Sequence, residues 1–187
     1  MPYPAKTSAD SILEAALEIL EHEGEAALSM RTLAERSGIK APSLYRHYPS
    51  KEALEGAMVR HGNTLLKGWL GQAARDKAPL EAVRAAAQAY LDFTRAHPHL
   101  YRLMSDVRLG ALAGNTGKDL WNTVLGLVGR VTGNPDDTAS AVALWAFLYG
   151  FAELERSGLF GSSGPQGGFE VGLEALLSDF QARRQSL

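Results

Sequence analysis

Residues 29–51 constrain the fold of this chain most, because they divide into two short helical stretches around Gly38. Leu33 is an inward-facing position in the first stretch, and Leu44 anchors the second. Glycine adopts a positive φ at little cost, and a sharp turn between two helices often needs that conformation. The segment therefore predicts a helix-turn-helix, with Ser29 as the N-terminal cap of its first helix.

The rest of the sequence also predicts helices, and no strand pattern is present. A first helix is expected from the cap Ser8 to Gly24, and a fourth from the cap Ser50 to about Ala74. Residues 110–117 are expected to form a flexible connection. Further helices are expected over residues 79–96, 100–106, 118–131, 136–157 and 169–183.

Length and composition fit an all-α chain in two parts. The 187 residues are enough for a small domain joined to a larger one, and a hydrophobic fraction of 45% supplies a core. We expect an N-terminal three-helix helix-turn-helix domain at residues 1–66 and a second helical domain at residues 67–187. The predicted total is about nine helices.

Composition excludes several kinds of site. The chain contains no cysteine, so disulfides and thiolate metal sites are impossible, and a reducing cytoplasm is the expected location. No apolar run approaches the roughly 20 residues of a membrane span, so we expect no membrane partner. His97 and His99 lack the spacing of a helical zinc pair, and no nucleophile motif or carboxylate pair is evident. We therefore expect no metal, no cofactor and no enzymatic activity.

Positive charge is concentrated in the helix-turn-helix segment, although the whole chain has a formal net charge of −2. A protein that binds DNA must neutralise phosphates and read base edges. The charge pattern therefore predicts a local DNA contact, whereas a merely solvated basic face is the alternative. Against the single acid Glu35, the basic residues of the segment are Arg31, Arg36, Lys40, Arg46 and Lys51.

The start of the second helix of the motif, at about residues 41–48, is expected to face the bases, as in helix-turn-helix proteins generally. Lys40 is suited to the acceptors of guanine, and Ser43 can donate or accept. Ala41 and the ring of Pro42 are suited to contact with a thymine methyl group. These residues are the predicted base-contacting set.

Three residues further along are better placed for the phosphate backbone. They are Tyr45, His47 and Lys51, the last in the first turn of the fourth helix, where free amides also favour a phosphate. Tyr45 and Tyr48 have an alternative interpretation as ordinary core aromatics. The sequence leaves that alternative open.

The segment resembles the N-terminal domain of the TetR/AcrR family of transcriptional regulators, from about residue 7 to residue 60. The matching stretches are residues 29–34, 37–39, 43–48 and 50–54. The resemblance implies a homodimer with an all-helical ligand-binding and dimerisation domain at residues 67–187. It also implies that DNA is contacted by Thr32, Ser43, Tyr45, His47 and Lys51.

Lys40 departs from the pattern of that family, which usually has Ser or Thr at this position as the cap of the recognition helix. Loss of such a cap costs about 1 kcal/mol. Lys40 instead offers a base or phosphate contact, so we expect the departure to affect the choice of operator.

The C-terminal half carries a second, weaker resemblance. Residues 145–151, WAFLYGF, resemble a tryptophan–histidine–glycine signature found in the ligand domain of one TetR subgroup, with Tyr149 at the histidine position. Residues 96–101 are similar to the same subgroup.

Resemblance to the family implies a small-molecule cavity between helices four to eight. Ligand sites are mostly apolar with a few placed polar groups, although an aromatic on an apolar helix stripe is more often ordinary core. Arg102, Arg108 and Glu153 are alternatives for recognising a charged group, and nothing in the sequence assigns them. The predicted lining residues are Tyr90, Phe93, Tyr101, Met104, Trp121, Leu125 and Trp145.

The last two long helices mix small and large apolar residues, which permits close helix packing. Resemblance to the family favours a four-helix interface made by two subunits, and intrachain core is the alternative. The prediction is therefore a ligand-responsive transcriptional regulator, a repressor released from a palindromic operator by a small apolar or aromatic effector. Activation remains open, and the rival from another class is a helical protein-interaction or adaptor domain of this fold that does not bind DNA.

Overall fold

The computed structural model describes residues 8–161 and 166–185; the first seven residues of the predicted DNA-binding domain lie outside these ranges. Within the described ranges the chain is helical and has no strand, which confirms the all-α prediction. Its α-helices are α1 (Ala9–Glu23), α2 (Met30–Arg36), α3 (Ala41–His47), α4 (Lys51–Ala74), α5 (Pro79–Ala96), α6 (Pro98–Met104), α7 (Val107–Gly110), α8 (Thr116–Thr132), α9 (Thr138–Arg156) and α10 (Gly168–Gln185).

Local sequence sets the ends of the N-terminal helices. Ser8 and Ser11 form a reciprocal cap at the start of α1, with N–H to hydroxyl distances of 3.1 and 3.0 Å. Ser29 and Ser50 each accept the backbone N–H three residues further on, at 3.0 and 3.1 Å. Caps of this kind stabilise a helix by about 1 kcal/mol, and each predicted cap is present.

The contacts of the chain group it into two compact units. Of the described residues, those up to Thr64 and His97–Gly117 form the first unit, and Leu65–Ala96 and the residues from Lys118 onwards form the second. Helix α4 contributes residues to both units. The predicted division at residue 66 concerns function, and it stays a prediction. In the grouping by contacts, α6 and α7 belong with the N-terminal helices.

The first unit packs α1, α2 and α3 around one apolar core. Helix α6 is tied to α1, because the Glu21 carboxylate accepts the N–H of Leu100 at 3.0 Å. The fully buried side chains of this unit include Ile12, Ile19, Leu33, Leu44, Leu54 and Met58.

Residues 107–113 form helical turns, although the sequence predicts a flexible connection at residues 110–117. They form α7 and a 3₁₀ turn at Ala111–Ala113, and α8 begins at Thr116. The Arg60 guanidinium on α4 donates to the carbonyl oxygen of Leu112 at 2.7 Å. Gly56 also lets this turn approach α4, since a Cβ there would lie 2.8 Å from the Leu112 Cβ. These tertiary contacts hold the turn that follows α7, the short helix that the sequence pattern did not predict.

The second unit is built from the end of α4 with α5, α8, α9 and α10. Two arginines of α5 hold its neighbours at the surface: Arg84 pairs with Glu174 of α10 at 2.7 Å, and Arg95 pairs with Glu155 of α9 at 2.7 Å. Phe147 of α9 packs directly against Gly172 of α10, where a Cβ would lie 2.4 Å from its ring. None of the helices in the described ranges combines the length and apolar character that a membrane crossing requires.

Candidate functional site

The turn between α2 and α3 determines the orientation of the recognition helix. Gly38 has φ +65°, as predicted, and the Ile39 N–H donates to the carbonyl oxygen of Ala34 at 3.0 Å. Lys40 is the N-cap residue of α3 and makes no side-chain cap hydrogen bond. Leu44 is the buried residue of this seven-residue helix, with an exposed fraction of 0%. A single buried side chain therefore anchors the helix, and its other residues are accessible at the surface.

The predicted base-contacting residues lie together at the start of α3. Lys40, Ala41 and Pro42 are exposed, and Ser43 is half-buried. The structure thus places the set on one surface of the first unit. Whether these residues contact bases stays a prediction.

The two tyrosines of this segment have different environments. Tyr45 is 48% exposed, so the core interpretation does not apply to it. Tyr48 is buried, and its hydroxyl donates to the carbonyl oxygen of Ala9 at 3.0 Å. Burial raises the pKa of the Tyr48 phenol above its ordinary value. Tyr48 therefore belongs to the core of the first unit, and Tyr45 belongs to its surface beside the exposed His47.

Two predicted DNA-contacting residues already have partners within the chain. The Thr32 hydroxyl lies 2.8 Å from the Ser29 hydroxyl at the start of α2. The Lys51 ammonium lies 3.3 Å from a carboxylate oxygen of Glu55, one turn along α4. A phosphate at either residue would share or replace these interactions.

The other basic residues of the segment divide into paired and unpaired groups. Arg31 pairs with Glu35 at 3.0 Å and Arg36 with Glu23 at 2.6 Å, all at exposed positions. Surface pairs of this kind contribute little to stability. The Arg46 guanidinium instead donates to the Ser43 hydroxyl at 3.0 Å. Arg46 was not among the predicted DNA-contacting residues.

A small apolar cavity lies in the second unit, between the end of α4 and helices α5, α8 and α9. Its volume is about 30 Å³, which is room for a water-sized molecule. Of the predicted ligand-contacting residues, Tyr90 and Trp145 line it. The other lining residues are Leu66, Leu70, Val83, Ala86, Ala87, Leu120, Val124, Leu127, Leu144 and Leu148.

The remaining predicted ligand-contacting residues of the second unit do not line this cavity. Phe93 is fully buried and packs edge-on against Trp69, with ring centroids 5.8 Å apart. The ring centroids of Trp121 and Trp145 lie 5.7 Å apart, and Trp121 borders a shallow apolar groove at the surface. Leu125 is half-buried on α8. A role for these residues in ligand binding stays a prediction.

Tyr101 and Met104 lie on α6, in the first unit. Tyr101 is buried, and the Met104 sulfur packs against Gly62 of α4, where a Cβ would lie 2.5 Å away. The structure therefore divides the predicted ligand-contacting set between the two units.

The aliphatic residues that line the cavity were missed by sequence reasoning. Val83, Ala86, Ala87 and Tyr90 recur on α5 at helical spacing, and this is the one signal the sequence offered. The same spacing is expected for ordinary core, so pattern alone does not distinguish the two.

None of the charged alternatives for ligand recognition is among the lining residues of the cavity. Arg108 forms an ion pair with Asp106, and Glu153 forms one with Arg156. Arg102 is exposed on α6. Within residues 8–161 and 166–185, no cluster of three or more His, Asp or Glu side chains is arranged to hold a metal ion.

Comparison with known proteins matches both halves of the chain to one family. Residues 12–58 match the family of bacterial regulatory proteins called tetR, and residues 83–179 match the tetracyclin repressor-like C-terminal domain. An uncharacterized HTH-type transcriptional regulator of Mycobacterium tuberculosis, Rv0681, is 30% identical over 161 residues, covering 83% of this chain and 73% of the relative. The chain belongs to the TetR family.

Membership decides the coarse function: the protein is a TetR-family DNA-binding transcriptional regulator, and regulators of this family are not enzymes. This function excludes the alternative of a protein-interaction or adaptor domain that has this fold but does not bind DNA. The tryptophan–histidine–glycine subgroup stays a prediction.

Solved structures show the same fold. A Rhodococcus sp. RHA1 protein of unknown function superposes with a TM-score of 0.78 at 23% identity, covering 97% of each chain. BioQ of Mycobacterium smegmatis superposes with a TM-score of 0.69 at 22% identity, over 95% of this chain and 99% of that one.

Proposed function

We propose that this TetR-family regulator is a homodimeric repressor that a small apolar or aromatic effector releases from a palindromic operator. The observation that carries the DNA-binding part is the geometry of α3. One buried leucine anchors the helix, and Lys40, Ala41 and Pro42 stand exposed at its start. A helix-turn-helix uses that end of its second helix to read the major groove.

Residues around this tip support a phosphate contact on either side. Tyr45 and His47 are exposed on α3, and Lys51 lies in the first turn of α4. Thr32 lies near the start of α2, where free backbone N–H groups favour an anion. We propose that these side chains hold the DNA backbone while Lys40, Ala41, Pro42 and Ser43 contact base edges.

The test begins with DNA fragments captured by the protein from sheared genomic DNA of its source. Titration of a captured fragment should show affinity that falls steeply as salt rises, because phosphate contacts release counterions. Tyr45→Ala and Lys51→Ala should weaken binding of every operator variant alike. The matched control is Lys67→Ala, which removes an exposed positive charge from the second unit. Unchanged affinity in the first two variants would remove their phosphate roles, and no DNA capture would remove the proposal.

A homodimer is supported by the outer faces of α9 and α10. No charged residue occurs from Thr138 to Ala152 on α9. Val142 is 55% exposed, and Val171 on α10 is 72% exposed. Large exposed apolar side chains on adjacent helices are typical of protein–protein contact. We propose that these helices pair with those of a second copy in a four-helix interface.

The dimer proposal is tested by molar mass in solution. Sedimentation at micromolar concentration should give twice the mass of the chain, which is 20.1 kDa. Ala143→Glu places a charge on the exposed face of α9 and should shift the protein toward monomer. Glu18→Gln, an exposed change on α1, is the control. A wild-type monomer at that concentration would contradict the interface.

The apolar cavity of the second unit supports an apolar effector. Its lining contains no charged side chain, and the surface that faces the cavity is almost wholly apolar. Ligand pockets usually have about 300–1,000 Å³, far more than the 30 Å³ found here. We propose that the effector binds a conformation in which this cavity is larger. The effector would favour release of DNA if that conformation binds the operator more weakly.

Naphthalene and 1-naphthoate form a matched pair of probes for this cavity, because they share a ring system and differ in charge. Naphthalene should raise the unfolding temperature and weaken operator binding, since burial of an unpaired carboxylate is costly. Ala87→Leu adds bulk at the lining and should abolish the response to naphthalene. An equal response to both probes, or one that survives this substitution, would exclude the cavity as the effector site.

A further inference from the structure

Arg46 occupies the outward side of the recognition helix. Successive residues of an α-helix are about 100° apart around its axis. Leu44 is the buried residue of α3, so Arg46 lies roughly 200° from the direction of the core. Pro42, one turn earlier, shares this side. When α3 enters a groove with Leu44 toward the protein, Arg46 lies on the side that faces the DNA.

The Ser43 hydroxyl holds the Arg46 side chain back along the helix. An Arg46 terminal nitrogen donates to it at 3.0 Å, across one turn. Ser43 precedes Arg46, so the bond directs the guanidinium toward the N-terminal end of α3. That end is where a helix-turn-helix contacts base edges. The bond also removes part of the rotamer freedom that an exposed arginine would otherwise lose on binding.

Arg46 also differs from the other arginines of this surface, and from Lys51, in its charge environment. Arg31, Arg36 and Lys51 each lie within ion-pair distance of a carboxylate. The described residues provide no such partner for Arg46, which donates to a neutral hydroxyl. A guanidinium has five N–H donors, so most remain available after one is given to Ser43.

We propose that Arg46 is a specificity-determining residue that donates two hydrogen bonds to the O6 and N7 atoms of one guanine in each operator half-site. Ser43 is its positioning residue. A guanidinium fork matches these two acceptors, and a bidentate pair discriminates between bases by about 1–3 kcal/mol. This inference rests on the proposed function, because it requires α3 to enter the major groove.

The test measures affinities of wild type, Arg46→Lys and Arg46→Ala for a captured operator and for variants with each half-site base replaced in turn. Wild type should lose roughly 5- to 150-fold when one particular guanine is replaced. Arg46→Lys keeps the charge but lacks the planar fork, so it should weaken this preference while its salt dependence stays the same. Arg46→Ala removes every side-chain donor and should lose the preference.

A second pair of variants tests the positioning role. Ser43→Ala removes the acceptor and should weaken the preference at the same guanine, whereas Ser43→Thr keeps a hydroxyl and should restore it. If Ser43→Ala leaves the preference at this guanine unchanged, Ser43 has no positioning role, whatever it changes at other bases.

Two outcomes would overturn the role of Arg46. If Arg46→Ala weakens all operator variants equally and reduces the salt slope, the residue holds a phosphate. If Arg46→Ala preserves every base preference of wild type, Arg46 does not read a base. In both cases wild type still binds its operator, so the proposed function stands. If wild type captures no DNA, both proposals fail together.

Discussion

The recognition helix and the cavity of the second unit place their candidate functional residues in opposite environments. On α3, Leu44 holds the helix in the core, and the residues proposed to contact DNA lie outside that core. Around the cavity, Val83 and Leu148 would contact a ligand and also form the apolar core. The first arrangement separates function from stability, and the second joins them.

The two environments determine which substitutions are informative. A change on the outer side of α3 should alter DNA binding with little effect on the free energy of unfolding. A change at the cavity should alter stability whether or not a ligand binds there. Activity alone therefore identifies the DNA-contacting residues, whereas the cavity requires stability and ligand response to be measured together.

The largest expected effect is at the cavity. Leu148→Ala should destabilise the protein by about 2–5 kcal/mol, since it removes a buried side chain and enlarges the void. Urea unfolding at fixed protein concentration measures this, with the exposed Gln72→Ala on α4 as control, expected within about 0.5 kcal/mol. Benzene should stabilise Leu148→Ala more than wild type, because it fills an apolar void. Equal stability of Leu148→Ala and its control would show that the cavity lining does not contribute to the stability of the core.

A smaller effect distinguishes the two tyrosines of the motif. Tyr48→Phe removes the hydrogen bond to Ala9 and should cost about 0.5–1.5 kcal/mol. Tyr45→Phe, at an exposed position, should leave stability unchanged and weaken operator binding. Similar stability losses in both variants would show that Tyr45 also supports the fold.

The Tyr48 pKa adds a pH dependence to the same comparison. Burial raises this pKa in the folded protein, so folding favours the neutral phenol. The contribution of the buried phenol to stability is fully present below about pH 10, which is the pKa of tyrosine in the unfolded chain. This contribution is lost as the pH rises through the pKa of the folded protein. The stability difference between wild type and Tyr48→Phe should therefore narrow in alkaline urea titrations. A difference that stays constant there would contradict the assigned cause.

The smallest expected effect is at the N-cap of α3. Lys40→Ser introduces a capping hydroxyl where the lysine side chain makes no cap hydrogen bond. It should stabilise the protein by about 1 kcal/mol and alter base preference if Lys40 contacts the operator. Thermal unfolding and operator titration measure the two effects. Stabilisation without any change in DNA binding would show that Lys40 has no role at the operator.

The helix-turn-helix could be predicted because its determinants are local. Gly38, the serine caps and Leu44 act within a few residues of the chain, and each has the predicted role. The assignment of Tyr48 to the core depends instead on α1, which supplies the carbonyl group of Ala9. For that reason, the sequence pattern does not decide whether either tyrosine belongs to the core or to the surface.

The cavity could not be predicted in the same way. Its lining comes from four helices, and apolar residues at helical spacing look identical whether they pack fully or leave a void. Tyr90 and Trp145 could be predicted as lining residues because they are aromatic. The other lining residues are aliphatic, and nothing in the sequence pattern distinguishes them from ordinary core. Arg46 was counted only as a charge, since its orientation depends on a hydrogen bond that forms once α3 is folded.

The single anchor of α3 also has an evolutionary consequence. Only Leu44 of this helix is buried, so mutations at the remaining positions meet weak selection from folding. Their fate would be set chiefly by the DNA that the protein must bind. Duplicated copies of such a gene can therefore acquire new target sites by few substitutions, while the scaffold that presents the helix is inherited unchanged.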